Sequence, residues 1–222
     1  MIKIIIFDFD GTIGNTQQLI VKTLHDTIDK LNLTFRSDAE CISTIGLPLE
    51  KAFMSLYSDE GKGDDVMFGK ECASTYRKLF EKNNIKGAVS MFPNVKETME
   101  RLYSMGIVMT IATSRGRESL LNFLEEMDIM RYISYTVCNG DVENAKPDPD
   151  MVVKTLEQLH FKAHEAMVVG DTSFDIIMGK KGGCITCGVT YGNGGQQELL
   201  DAGANHIIND FSDILKTLRL EG

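Results

Sequence analysis

Lys3-Ile4-Ile5-Ile6-Phe7-Asp8-Phe9-Asp10-Gly11-Thr12 opens as an apolar run and closes on a turn. The run is too short for a helix and shows no alternation, which suits a strand covered on both faces of a parallel sheet. Asp10-Gly11-Thr12 is the turn signal that ends it. The reading is a buried strand over Lys3 to Phe9 with two carboxylates, Asp8 and Asp10, at its carboxyl end.

Downstream, strand and helix alternate. Asn94 to Met105 has helical spacing and stops at Gly106, a residue suited to the position just past a helix end. Ile107 to Ala112 is a strand, Arg117 to Met127 a helix and Tyr135 to Cys138 a short strand. Asp148 as cap and Pro149 in the first turn start a helix that runs to about His160. Ala166 to Val169, Phe174 to Lys181 and Cys184 to Val189 follow as strand, helix, strand. Such alternation predicts an α/β fold with a doubly wound, Rossmann-like parallel sheet.

Between the first strand and the rest lies a block without convincing strands. Ile20, Leu24, Ile28 and Leu31 form one apolar stripe from about Thr16 onward. Pro48 starts a second helix carrying Leu49, Phe53 and Leu56, and Asp59 to Asp65 is a polar loop. Cys72, Tyr76, Leu79 and Phe80 mark a further helix ending near Asn84. The simplest organisation is an all-helical unit over residues 15–84, inserted into a core of residues 1–14 and 85–222. Placed over the carboxyl ends of the strands, where open α/β sheets bind ligands, it would act as a lid.

With 222 residues and 43% hydrophobic content, the chain can bury a core without disulfides. Five cysteines, an odd count without a signal peptide, fit reduced thiols in the cytoplasm. The formal net charge of −9 and the lack of a basic stripe argue against nucleic acid. No run is long and apolar enough for a membrane span. An anionic substrate would be repelled by the overall field and would need a local cation.

Four stretches carry candidate chemistry. Asp8 and Asp10 at a strand end can aim at one point: one carboxylate as nucleophile toward phosphorus, the other moving the proton of the leaving oxygen. The same residues also suit a plain turn or a calcium-type loop. Thr113-Ser114, after the second strand, offers a hydroxyl and N–H groups to phosphoryl oxygens, or caps a helix. Lys146, before Pro147-Asp148-Pro149, offsets charge on a carboxylate or phosphate, or is a solvated surface lysine. In Gly170-Asp171-Thr172-Ser173-Phe174-Asp175, Asp171 and Asp175 offer oxygens to a small hard cation, magnesium being the usual one beside phosphate. Asp171 or Ser173 also reads as the helix cap. Cys184-Ile185-Thr186-Cys187 falls in a strand, where its two thiols point apart, and Gly192-Asn193-Gly194-Gly195 reads as a loop at the site's rim.

The four stretches, in this order, resemble the motifs of the haloacid-dehalogenase superfamily of phosphatases. The similarity runs over essentially the whole chain, including a helical cap after the first motif. Cap type and position are similar to the subgroup of phosphoglycolate phosphatase, β-phosphoglucomutase and some pyrophosphatases. Ile45-Gly46-Leu47-Pro48-Leu49 and Tyr76-Arg77 look most like the phosphoglycolate phosphatase branch. The resemblance implies a Mg²⁺-dependent phosphatase acting on a small phosphorylated metabolite through an aspartyl-phosphate. It implies Asp8 as nucleophile and metal ligand, and Asp10 as general acid and base with its carbonyl on the metal. Thr113 would hold the phosphoryl group, Lys146 would neutralise charge, and Asp171 and Asp175 would bind or orient the metal. Gly46, Arg77, Ser114 and Arg115 are the expected substrate-binding positions. A phosphomutase, an inorganic pyrophosphatase and a catalytically silent binding protein are the alternative readings. The mutase is disfavoured because Gln17-Gln18-Leu19-Ile20 lacks the histidine of that branch. A cytoplasmic monomer or homodimer is expected.

Overall fold

The computed structural model describes residues 1–221. Six parallel strands form the central sheet: β1 (Ile4–Phe7), β4 (Val108–Thr113), β5 (Ile133–Cys138), β6 (Ala166–Gly170), β7 (Ile185–Val189) and β8 (His206–Ile208). Their order is β5-β4-β1-β6-β7-β8. The chain therefore winds outward from β1 in both directions. The switch point, where such sheets open a crevice at their carboxyl ends, falls beside β1.

The sheet is covered on both faces, as the unbroken apolar run of β1 requires. Ile5 and Phe7 join one core cluster with Met109, Ile111, Met167 and Val169. Helices α5 (Val95–Ser104), α6 (Arg117–Glu126) and α10 (Ile214–Leu220) cover that face through Met99, Phe123 and Ile214. Ile4 and Ile6 point the other way, into a cluster with α7 (Asp150–Leu159) and α8 (Ser173–Lys181) that includes Val152 and Met178. Alternate residues of one strand thus feed opposite cores.

Helices α1 (Gln17–Lys30), α2 (Asp38–Ile42), α3 (Leu49–Leu56) and α4 (Val66–Asn83) fall between β1 and β4. A two-stranded antiparallel ribbon, β2 (Gly14–Asn15) with β3 (Ser90–Met91), ties together the segments by which the chain leaves and rejoins the sheet. Leu24, Phe53, Tyr76 and Phe80 of these helices pack in the same cluster as β1 and α6.

Several local readings are corrected. In α1 the expected stripe packs on the core, Leu24 and Ile28 fully and Ile20 and Leu31 in part, but the buried face is wider and also takes in Leu19, Thr23 and Thr27. Thr23 and Thr27 enter the interior because their hydroxyls donate back to the carbonyls of Leu19 (2.8 Å) and Thr23 (2.7 Å). Helix α8 is capped by Thr172, not by Asp171 or Ser173: Asp175 accepts from the Thr172 N–H (3.1 Å) and hydroxyl (2.9 Å). Pro149 is itself the cap position of α7. Beyond Val189 the chain adds α9 (Gln196–Asp201), β8 and α10, which the sequence pattern left unread. Among the described residues, no helix is long and apolar enough to cross a membrane.

Candidate active site

Strand ends deliver the site. Asp8 follows β1 directly, with its N–H bonded to the Val169 carbonyl of β6 at 2.8 Å. Thr113 is the last residue of β4, and Asp171 follows β6. Because β4, β1 and β6 are neighbours, these three residues meet at one sheet edge. Asp175 enters from the first turn of α8, and Lys146 from the segment between β5 and α7.

Asp8, Asp171 and Asp175 each present a carboxylate oxygen within 4.8 Å of the others. All three are buried, as is Lys146. Lys146 Nζ donates to Asp8 Oδ1 at 2.5 Å and to Asp175 Oδ1 at 2.6 Å. One ammonium therefore faces three carboxylates. Burial, together with repulsion from Asp175 and Asp171, holds the Asp8 carboxyl well above its ordinary range. Burial and the Asp175 charge push Asp171 up to about 7. Against the burial that pulls it down, Asp175 and Asp8 keep the Lys146 ammonium above its usual value, so it stays charged. Negative charge remains in surplus. A small divalent cation with oxygen preference fits this donor set, since it would neutralise the surplus through hard ligands of the kind present.

The cradle around Asp171 is built on Asn193, from the glycine-rich loop expected at the site's rim, with Thr12 and Gln17 added, for which no site role was expected. Asn193 donates to Asp171 Oδ2 from its backbone N–H (2.7 Å) and from Nδ2 (2.8 Å), and Thr12 Oγ1 donates to Oδ1 at 3.2 Å. Gln17 at the start of α1 donates to Asn193 Oδ1 at 3.0 Å. The signal for Asn193 was its position as the one polar side chain inside Gly192–Gly195. Gly11 is required here for two reasons. Its φ of +87° is left-handed, and a Cβ would overlap the Asp171 carboxylate.

Asp10 does not join the carboxylate cluster through its side chain. Its oxygens accept from Arg115 Nε (3.0 Å), Arg115 Nη2 (2.5 Å) and the Thr16 hydroxyl (2.7 Å). Arg115 is buried, and its Nη1 donates to Ser119 at 2.8 Å. Burial works against its charge and Asp10 more than restores it. Arg115 is thus placed at the site but engaged by Asp10.

Between the sheet edge and the inserted helices lies a cavity of about 470 Å³. Asp8, Asp10, Gly46, Arg77, Thr113, Ser114 and Arg115 all line it, while Lys146, Asp171 and Asp175 lie outside its lining. Thr113 Oγ1 accepts the Arg115 N–H at 3.2 Å, which leaves the hydroxyl proton free for a ligand oxygen. Ser114 donates to the Gly46 carbonyl at 2.6 Å, joining the β4 loop to the helical insertion. Arg77, on the rim, is paired with Glu50 at 2.6 Å.

The chain is similar to known proteins over nearly its whole length. The family model described as haloacid dehalogenase-like hydrolase matches residues 5–189. Pyrophosphatase PpaX of Halalkalibacterium halodurans is 29% identical over 214 residues, spanning 96% of this chain and 95% of its own. Pyrophosphatase PpaX of Oceanobacillus iheyensis is 30% identical over 216 residues, again with 96% and 95% covered. The crystal structure of a predicted phosphoglycolate phosphatase from Haemophilus somnus superposes with a TM-score of 0.86 at 23% identity, covering 98% of both chains.

Proposed function

We propose, from the premise that this chain belongs to the haloacid dehalogenase-like hydrolase family, that it is a phosphatase releasing phosphate from a small metabolite through an aspartyl-phosphate on Asp8. The observation that carries the reading is the buried group of Asp8, Asp171 and Asp175, with Lys146 bonded to Asp8 and Asp175, beneath an open cavity.

Each role follows from placement. Lys146 holds Asp8 Oδ1, which fixes the carboxylate at the cavity floor for attack on phosphorus. Thr113 orients the transferring group with its free hydroxyl proton. Asp8, Asp171, Asp175 and the Asp10 carbonyl are the groups that would hold Mg²⁺, which when bound supplies positive charge to phosphoryl oxygens. As the Asp8–phosphorus bond forms and the ester bond breaks, Asp10 gives a proton to the departing oxygen. It then takes one from the water that splits the phosphoenzyme, so that inorganic phosphate leaves and Asp8 is restored. The helices over residues 15–84 form the cap of this site, and the α/β part over residues 1–14 and 85–222 its base. Gly46, Arg77, Ser114 and Arg115 line the space for the leaving group.

Phosphoglycolate is the first substrate we propose, on the likeness of the cap. The names of the two PpaX relatives favour a second reading, inorganic pyrophosphate. Phosphate release from a panel holding both compounds, with and without Mg²⁺, tests substrate and metal together. Asp8→Asn should form no phosphoenzyme and release no phosphate. Normal turnover by that variant would refute the mechanism.

A further inference from the structure

The acid–base role given to Asp10 conflicts with where its carboxylate sits, and the conflict points to substrate selection. We propose that Arg115 holds Asp10 in reserve and surrenders it only to a second anionic group on the leaving side of the substrate. On that account the enzyme is confined to phosphates whose leaving group is itself an anion, such as a carboxylate or a second phosphate. The inference rests on the phosphatase reading above.

Asp10 is held by three donors, two from Arg115 and one from Thr16. To reach a leaving oxygen it must turn out of a bidentate ion pair, among the strongest polar contacts a side chain makes. The larger obstacle is what it leaves behind. The Arg115 guanidinium lies among the rings of Phe9, Phe80 and Phe123, with centroids at 5.7, 5.1 and 4.9 Å. Among the described residues the guanidinium's one other hydrogen-bonding partner is the neutral hydroxyl of Ser119. Without Asp10 the cation would be buried and unpaired, which is strongly unfavourable. Arg115 and Asp10 both line the cavity, so an anion carried by the substrate can take the same donors. The exchange preserves the ion pair on Arg115 and frees Asp10 in one event.

The other arginines of the cavity do not offer this coupling. Arg77 is paired with Glu50 and Arg117 with Asp141, and both arginine side chains are about half exposed. An anion binding to either would release a partly buried carboxylate that lies outside the Asp8, Asp171 and Asp175 group. Phe80 belongs to α4, while Phe9 and Phe123 belong to the sheet side. The cage that makes an unpaired Arg115 unfavourable is therefore complete only when the inserted helices are seated.

The test uses two matched pairs with the full-length protein and Mg²⁺: phosphoglycolate against 2-hydroxyethyl phosphate, and pyrophosphate against methyl phosphate. The pairs separate a carboxylate from a phosphate as the displacing anion. In Arg115→Gln the kcat/KM ratio of anionic to neutral substrate should fall about 100-fold in at least one pair. Turnover of the neutral partner should rise, because Asp10 is no longer held. A merely structural lesion cannot raise it. Thr16→Val, which loosens Asp10 while keeping Arg115, should raise turnover of the neutral esters and lower the ratio about tenfold, and it carries the test if Arg115→Gln fails to fold. Ratios within about threefold of the parent in both variants, or a parallel loss on both members of each pair, overturn the proposal. In that case normal turnover of all four compounds leaves the phosphatase reading standing, whereas no phosphate from any of them removes both.

Discussion

Stripping divalent metal should make the protein less stable as pH rises from 5 to 8, the reverse of ordinary acid denaturation. Asp171 is pushed from 3.8 to about 7 by burial and by Asp175. A carboxyl whose folded pKa is raised binds more protons folded than unfolded, so its stabilising share is full below about pH 4 and is lost as pH rises through 7. Three units correspond to about 4 kcal/mol, of which about 3 kcal/mol falls between pH 5 and 8. For a chain of this length that is a drop in Tm of roughly 6–12 °C. Asp8 is shifted in the same direction and adds to the slope. The assay is thermal unfolding in EDTA at four pH values, for the parent and for Asp171→Asn. The amide is isosteric and can keep its oxygen toward Asn193, so histidines and surface carboxylates titrate alike in both proteins. The parent should lose stability across the range and the variant much less. Added Mg²⁺ should raise the parent's Tm more at pH 8 than at pH 5, because metal competes with protons for the same oxygens. Parallel curves for parent and variant in EDTA would show that Asp171 does not carry the surplus charge.

Lys146→Met removes the cation bonded to two of the three buried carboxylates. Its kcat should fall about 100- to 1,000-fold, and its Tm in EDTA should drop more at pH 8 than at pH 5. Asn193→Ala takes one donor from Asp171 and the link to Gln17; Mg²⁺ affinity by calorimetry should weaken about tenfold, with kcat recovering at saturating metal. Phe53→Ala opens a cavity in α3, where the ring is fully buried and meets Tyr76 edge-on at 6.3 Å between centroids. It should cost about 3–5 kcal/mol, read from denaturant unfolding.

What the sequence made legible was set by length of signal. Strands of four to six residues built from Ile, Val and Met were readable because no amphipathic helix competes with such short runs, and their order forced the doubly wound arrangement. Helix α2 spans five residues and was missed, although Ser37 and Glu40 form a capping box that is written in the sequence. The ribbon of β2 and β3 has two residues on each side, too few for any period. The threonines of α1 show a different limit: an apolar stripe leaves them out, yet a hydroxyl bonded to its own helix is free to enter a core. At the site, the positions of Asp8, Thr113 and Asp171 followed from strand ends, because topology alone places those ends together. The pairing of Asp10 with Arg115 depends on side-chain directions across more than a hundred residues of sequence, and the cradle of Asn193 on a contact between separate loops. No local pattern encodes them.

Those long-range contacts also change how the inserted helices should be understood. A lid that only limited access would touch the rim and leave the reacting groups alone. Here the insertion reaches three separate parts of the site. Gly46 accepts from Ser114, beside Thr113. Phe80 closes the ring cage of Arg115, which holds Asp10. Gln17 donates to Asn193, which holds Asp171. Thr113, Asp10 and Asp171 are therefore each linked through one neighbour to the same helical unit. Displacing that unit would loosen all three at once, because packed contacts of this kind rearrange between discrete arrangements rather than stretch. Substitutions at Gly46, Phe80 or Gln17 should consequently act on kcat through the groups they support, and not on KM alone as changes at a passive rim would.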